Sequence, residues 1–172
     1  MKFLEDAPIL DSRLIRPGIH SLLLRSPEIA RHARPGQFVH VRVRKVFHPL
    51  LRRPLSIGRV EGDRLELVWR IVGEGTALLA QARMGDTLDL LGPLGRPFTI
   101  PAGLKRALLV AGGLGLPPLV FLHEELLRQG VSSRLLLGVR GEEDIPLADN
   151  DPLLETIEVT AEEGGAYRRG LV

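Results

Sequence analysis

The sequence predicts a mixed β and α/β protein in two parts, with the pattern changing near Pro101-Ala102-Gly103. Two observations carry this. Before that point, short alternating runs recur at regular spacing between Gly/Pro turns, the mark of an antiparallel barrel or sandwich. After it, apolar runs of strand length alternate with a segment of helical period, the mark of a parallel α/β lobe. The expected units are residues 1–102 and 103–172.

In the first unit, Leu14 to Arg25 has strand character, and Ser26-Pro27-Glu28 reads as the cap of a short helix through His32. Arg34-Pro35-Gly36 is a turn. Gln37 to Arg44 alternates, with Val39, Val41 and Val43 opposite His40, Arg42 and Arg44. Leu55 to Val60 is a strand, Glu61-Gly62-Asp63-Arg64 a hairpin turn, and Leu65, Leu67, Trp69 and Ile71 alternate again. Gly73-Glu74-Gly75-Thr76 breaks that strand, and Ala77 to Ala82 can form a short helix. Gly85-Asp86 turns into a strand over Thr87–Leu91, which Gly92-Pro93-Leu94-Gly95 ends.

The second unit begins with Ala107 to Ala111, a run short and apolar enough for a strand buried on both faces. Gly112-Gly113-Leu114-Gly115 follows, and after Pro117-Pro118 an apolar stripe of helical period. Leu119, Leu122, Leu126 and Leu127 share one face, with Glu124, Glu125, Arg128 and Gln129 toward a solvated one. Prolines suit a helix start, where their missing N–H is not needed. A strand, a glycine turn and a helix start bring backbone N–H groups against a phosphate, and glycine admits a ligand where a Cβ would collide. The turn is not GxGxxG, because Leu116 and Pro117 follow Gly115, so taken alone it equally fits any tight strand-to-helix turn. Arg134 to Gly138 is a second strand, Glu142-Glu143-Asp144 is polar, and Thr156 to Ala161 is a third strand. A doubly wound sheet is usually about twice as long, so either a partner covers the open edge or the sequence is part of a longer polypeptide. The second is the expectation.

A hydrophobic content of 44% suits a globular core, and a net charge of +2 with scattered basic residues gives no nucleic-acid surface. Lys2, Lys45 and Lys105 are the only lysines, a bias that coding composition explains better than phosphate binding does. Without cysteine, the 172 residues supply no disulfide, no thiolate metal site and no iron–sulfur ligands. His20, His32, His40, His48 and His123 have no partners at ligand spacing, so no metal site is expected. The start, MKFLEDAPIL, lacks a signal-peptide core, and no run approaches membrane-spanning length. A soluble cytoplasmic protein is expected.

Five stretches, in order, carry a resemblance. They are Pro35-Gly36-Gln37-Phe38; Leu51-Arg52-Arg53-Pro54-Leu55-Ser56-Ile57; Gly73-Glu74-Gly75-Thr76; Gly92-Pro93-Leu94-Gly95; and Gly112-Gly113-Leu114-Gly115 with Pro117-Pro118. Thr160-Ala161 and Gly170-Leu171-Val172 also fit. Over nearly its whole length the sequence resembles the ferredoxin–NADP reductase superfamily of flavoproteins, in particular the electron-transfer subunits of two-subunit bacterial dihydroorotate dehydrogenases. The resemblance implies a flavin-binding antiparallel Greek-key β-barrel followed by an incomplete Rossmann-like lobe for a nicotinamide nucleotide.

It also implies roles. Arg53 matches the arginine that grips the FAD diphosphate, where a forked, permanently charged donor suits two phosphates and Pro54 stiffens the backbone that aims it. Ser56 matches the residue meeting the isoalloxazine edge near N5, and is the catalytic candidate. Leu55 stands where better-known members carry a stacking aromatic, and still shields a ring face. Trp69, Arg70 and Ile71 fall on the strand facing the flavin, though core filling is the stronger reading for Trp69. Gly75 and Thr76 offer backbone N–H and a hydroxyl to the second side of the diphosphate. Arg52 is read as solvated. Gly112, Gly113, Gly115 and Pro117 become the NAD(H) side, where a carboxylate at Glu142 or Glu143 could bond a ribose hydroxyl and favour NAD over NADP, against the contrary sign of Arg140.

The members of that family continue to a cysteine-rich tail holding a 2Fe–2S cluster, which this sequence does not contain. The expected function is passage of reducing equivalents between NAD(H) and an FMN-containing dihydroorotate dehydrogenase catalytic subunit in pyrimidine biosynthesis, as a hetero-oligomer. The alternatives are a reductase subunit of another enzyme of the superfamily, of sulfide, glutamate or hydrogenase type, or a redox-silent assembly module.

Overall fold

The computed structural model describes residues 1–43, 51–163, 166–170 and 172. Arg44, Lys45 and His48 of the first unit and Leu171 of the last marker lie outside them.

Strands β1 (Phe3–Arg16), β2 (Ile19–Arg25), β3 (Phe38–Arg42), β4 (Arg53–Glu61), β5 (Arg64–Arg70) and β6 (Thr87–Leu94) form a closed antiparallel barrel in the order β1-β2-β5-β4-β3-β6. This is the expected Greek-key arrangement. Its interior follows from period-two alternation: Ile9, Leu22, Val39, Val41, Ile57, Leu65, Leu67 and Leu90 turn inward, each at most 2% exposed.

The expected single strand over Leu14 to Arg25 is instead a hairpin, turning at Pro17-Gly18, and the chain ahead of it is a long strand without a sequence signal. β1 closes the barrel by pairing its first half with β6 and its second half with β2. Irregular register between Ile9 and Asp11, and again between Leu14 and Arg16, breaks its alternation. β6 likewise runs past Leu91 to Leu94. Helix α1 (Pro27–His32) forms as expected, but Ser26 does not cap it through its side chain. The Glu5 carboxylate does, accepting from Ser26 Oγ at 2.5 Å and from the N–H groups of Ile29 at 2.9 Å and Glu28 at 3.2 Å.

The second unit is a parallel sheet in the order β10-β9-β8-β7, built from β7 (Arg106–Gly112), β8 (Ser132–Val139), β9 (Glu158–Ala161) and the short β10 (Arg168–Arg169). Four strands thus replace the three expected. β7 is an edge strand with one open face, Leu108 being 60% and Val110 51% exposed, so the expectation of burial on both faces fails there. Among the described residues only the other face is covered, by α3 (Leu116–Arg128).

α3 is buried on more sides than an amphipathic surface helix. Phe121 reaches into the barrel core, Leu116 and Val120 pack on the sheet, and Leu122 and Leu126 join Val131 in a third cluster. Each such side chain contributes on the order of 1.5–3 kcal/mol by leaving water. Leu127, expected on the apolar face, is instead 51% exposed. The helix therefore lies between barrel and sheet and joins them. Among the described residues no helix is long and apolar enough to cross a membrane.

Candidate functional site

Strand β4 organises the site. Its first residue, Arg53, is half-buried and donates from Nη1 to the Leu51 carbonyl at 2.7 Å. The rest of its guanidinium lies against Gly75, where a Cβ would overlap Nε and stand 2.5 Å from both Cζ and Nη2. The two corners singled out in sequence therefore meet, with the absent side chain of Gly75 making the room.

Helix α2 (Glu74–Leu79) starts one residue before that glycine. Its expected hydroxyl donor is not available. Thr76 Oγ1 accepts from the N–H groups of Val72 at 2.9 Å and Gly73 at 3.1 Å and donates to the Gly73 carbonyl at 2.8 Å. It is consumed in shaping the elbow and offers no hydroxyl proton to that side. Trp69, 3% exposed, donates from its indole to the Thr76 carbonyl at 3.2 Å and stacks on His20 at 5.6 Å between ring centroids. It braces the elbow from the core.

Along β4, Pro54 and Ser56 are exposed on the outer face, opposite His40 and Phe38 respectively. Leu55 points inward, and only the 9% of its surface still open could shield a ring. Arg52 is not solvated. It makes a bidentate pair with Asp89 on β6, at 2.7 and 2.9 Å, and donates to the Asp89 carbonyl at 3.1 Å, so it serves the barrel and not a ligand.

Further along β4, a Cβ on Gly58 would stand 3.2 Å from Pro117 Cβ. This close approach sets the glycine turn beside β4: Gly58 lies two residues past Ser56, and Pro117 two past Gly115. Apart from their own chain neighbours, no atom of the described residues lies within 4 Å of where a Cβ would sit on Gly112, Gly113 or Gly115. Gly112 and Gly113 line a cleft of about 470 Å³ together with Arg70, Gly138, Arg140, Asp144 and Glu162. It opens at the carboxyl ends of β7, β8 and β9, where ligands of open parallel sheets bind. Arg70 crosses the cleft from β5 to Asp144 at 2.5 Å. Ile71, 38% exposed, continues that strand and donates its N–H to the Gly18 carbonyl at 2.8 Å.

Sequence reasoning missed Arg59. From β4 it reaches Asp151, Glu124 and Glu66, so Glu124 is not the solvated helix residue expected. Glu66 is the cross-strand neighbour of Arg59 in the β4–β5 hairpin, but no local pattern could have found Glu124 or Asp151, 65 and 92 residues further on. Burial pushes the Glu124 carboxyl up, with Arg59 opposing. Among the described residues no group of three or more His, Cys, Asp or Glu could hold a metal ion.

No family model matches the chain. It is 42% identical over 142 residues to the electron transfer subunit of dihydroorotate dehydrogenase B (NAD(+)) of Desulforamulus reducens, covering 81% of this chain and 54% of that one. To the same subunit of Streptococcus mutans it is 34% identical over 172 residues, covering 98% of this chain and 66% of the relative. The chain thus spans between about half and two thirds of these relatives' length. Among solved structures it matches an NADH-dependent reduced ferredoxin–NADP oxidoreductase with a TM-score of 0.82 at 28% identity, over 96% of this chain and 60% of the other. A ferredoxin NADP+ reductase from Neisseria gonorrhoeae, solved with bound FAD and NADP, shares the fold at TM-score 0.77 and 23% identity, over 98% of this chain and 72% of that one.

Proposed function

From the premise that the chain belongs to the ferredoxin–NADP reductase superfamily and is similar in sequence to electron-transfer subunits of dihydroorotate dehydrogenase B, we propose that it passes reducing equivalents between NAD(H) and a dihydroorotate dehydrogenase catalytic subunit through a bound FAD. On this reading residues 1–102 hold the flavin and 103–172 the nicotinamide nucleotide, in a cytoplasmic hetero-oligomer serving pyrimidine biosynthesis. The observation that carries it is the contact of Arg53 with Gly75, on the same strand whose Gly58 meets the glycine turn.

The residues fit a dinucleotide-type cofactor. At Gly75 the missing Cβ leaves the Arg53 guanidinium, a charged fork suited to a diphosphate, beside the first turn of α2. Arg53 would hold the diphosphate, and exposed Ser56 would offer its hydroxyl to the edge of the flavin ring. A bound flavin supplies the exchange between two-electron and one-electron chemistry. Gly112, Gly113 and Gly115 let a nicotinamide ring come close, and Leu55 with Trp69 keeps water from the barrel side. Arg70 and Asp144 close the cleft from opposite walls. Glu142 and Glu143 do not line the cleft; Glu162 does, and would offer a carboxylate to a ribose hydroxyl, with Arg140 of opposite sign also on the lining. The 172 residues contain no cysteine, so a 2Fe–2S cluster would be held by residues outside them.

The test is purification of the chain with and without added FAD, followed by anaerobic titration with NADH. The expected result is a yellow protein whose flavin band bleaches with NADH more readily than with NADPH. A colourless protein that takes up no added FAD would leave the assembly-module reading in its place.

A further inference from the structure

The seam between barrel and lobe is crossed by ion pairs as well as by the packing of Phe121 and the Gly58–Pro117 approach. Arg59 Nη1 and Nη2 donate to the two carboxylate oxygens of Asp151 at 2.6 and 2.9 Å, Nε to Glu124 Oε1 at 3.0 Å, and Nη1 to Glu66 Oε2 at 3.3 Å. The side chain of Asp151 is only 9% exposed, and its Oδ1 also accepts from the Leu153 N–H at 3.0 Å. Glu124 lies on α3, the helix that begins at the glycine turn. Asp151 ends the segment that follows β8 and runs over the barrel. Two further barrel arginines reach that segment, Arg16 to Asp149 at 2.6 Å and Arg70 to Asp144 at 2.5 Å. Beside Arg59 a cavity of about 200 Å³, lined by Ser21, Val68, Pro117, Val120, Leu147 and others, leaves the seam incompletely filled.

The pocket leaves apolar contact over only part of the seam. A forked, bidentate pair does fix direction, because both guanidinium bonds must be satisfied together. Arg59 pairs at once with Glu66 on β5, Glu124 on α3 and Asp151 in the segment after β8.

We propose that Arg59 is a positioning residue: by tying Glu124 and Asp151 to strand β4, it sets where the glycine turn stands relative to the Arg53–Ser56 corner. The inference rests on the reading that the corner holds the flavin and the turn the nicotinamide nucleotide. Hydride transfer is sensitive to misplacement on the ångström scale, which can cost on the order of a hundredfold in rate. Without Arg59, three carboxylates would face one another across the seam, which favours its opening.

The chain has no cysteine, so a single introduced pair takes spin labels cleanly. With Met84→Cys on the barrel and Leu127→Cys on α3, 73% and 51% exposed, double electron–electron resonance on the 172-residue chain reads the distance between barrel and helix with or without flavin. The parent should give one narrow distribution, Arg59→Met a broadened or shifted one, and Arg59→Lys an intermediate. Asp151→Asn, nearly isosteric, repeats the measurement should Arg59→Met not fold. In stopped-flow reduction by NADH, Arg59→Met should keep its flavin content yet reduce at least about tenfold more slowly at saturating NADH. A distribution unchanged from the parent, or a parental reduction rate in folded Arg59→Met, overturns the inference. A parent that takes up no flavin sinks the functional reading, and a broadened distribution in its Arg59→Met variant still supports the docking role.

Discussion

The guanidinium of Arg53 rests where the side chain of Gly75 would be, so one residue's charge is aimed by another's lack of a Cβ. Gly75 does not have a positive φ, and alanine would suit its backbone. The objection to alanine is steric and falls wholly on Arg53. Gly75→Ala is therefore expected to keep the fold and push the guanidinium away, mimicking Arg53→Ala. Both should weaken FAD binding by about 1.5–3 kcal/mol, the worth of a charged hydrogen-bonded contact, or on the order of ten- to a hundredfold in Kd. Flavin fluorescence titration measures this, and wild-type affinity in Gly75→Ala would remove Arg53 from the phosphate site.

Arg52 is the control that sequence alone would not have supplied. Its fork is taken by Asp89, whose side chain is 14% exposed. Arg52→Ala should cost about 1.5–3 kcal/mol of stability, since it leaves a partly buried carboxylate alone, while FAD affinity stays at the parental value. Chemical denaturation beside the same flavin titration separates the two arginines. Were Arg52→Ala to lose FAD in proportion to Arg53→Ala, the division of labour drawn from their partners would be wrong.

Thr76 should behave as an architectural residue. Thr76→Val leaves the N–H groups of Val72 and Gly73 without their acceptor and should destabilise by about 1–3 kcal/mol, read as roughly 2–4 °C in Tm per kcal/mol for a chain of this size. Thr76→Ser keeps the hydroxyl and should recover most of that loss. If Thr76→Val instead melted like the parent and lost only flavin, the hydroxyl would belong to the ligand after all.

What sequence made legible divides along a physical line. β3 and β5 were readable because Val39 and Val41, or Leu65, Leu67 and Trp69, alternate over flat, regularly paired strands. β1 was not, because its register irregularities near Asp11 and Arg16 break the period and its two halves serve different partners. The start of α3 was marked by Pro117 and Pro118, whereas its burial was mistaken, since a helix between two layers needs apolar residues on several sides and Phe121 fell outside the single stripe. Arg53 and Gly75 could be paired only through the motif resemblance. Arg59 faces Glu66 across a hairpin that was legible, but its partners Glu124 and Asp151 lie far along the chain and carried no local signal.

Glu66 gives the least intuitive expectation. Burial raises its carboxyl above the usual range, Arg59 pulls it down, and Asp151 and Glu124 add like charge. The net direction is upward, so the folded protein prefers this group neutral. The unfolded chain therefore ionises at lower pH than the folded one, and stability drawn from Glu66 is present below its ordinary value and lost as pH rises through the raised one. Glutamine imitates the neutral form while Asp151 keeps both guanidinium nitrogens of Arg59 engaged. Glu66→Gln should accordingly be more stable than the parent at pH 7, and the difference should shrink toward zero as pH falls to about 4, near the ordinary carboxylate value. His20 and His123, both held below the usual imidazole range by burial, are common to the two proteins and cancel from the difference. Urea midpoints for the pair between pH 4 and 8 test this. A glutamine variant less stable than the parent at pH 7 would mean that the attraction to Arg59 outweighs the cost of burying the charge.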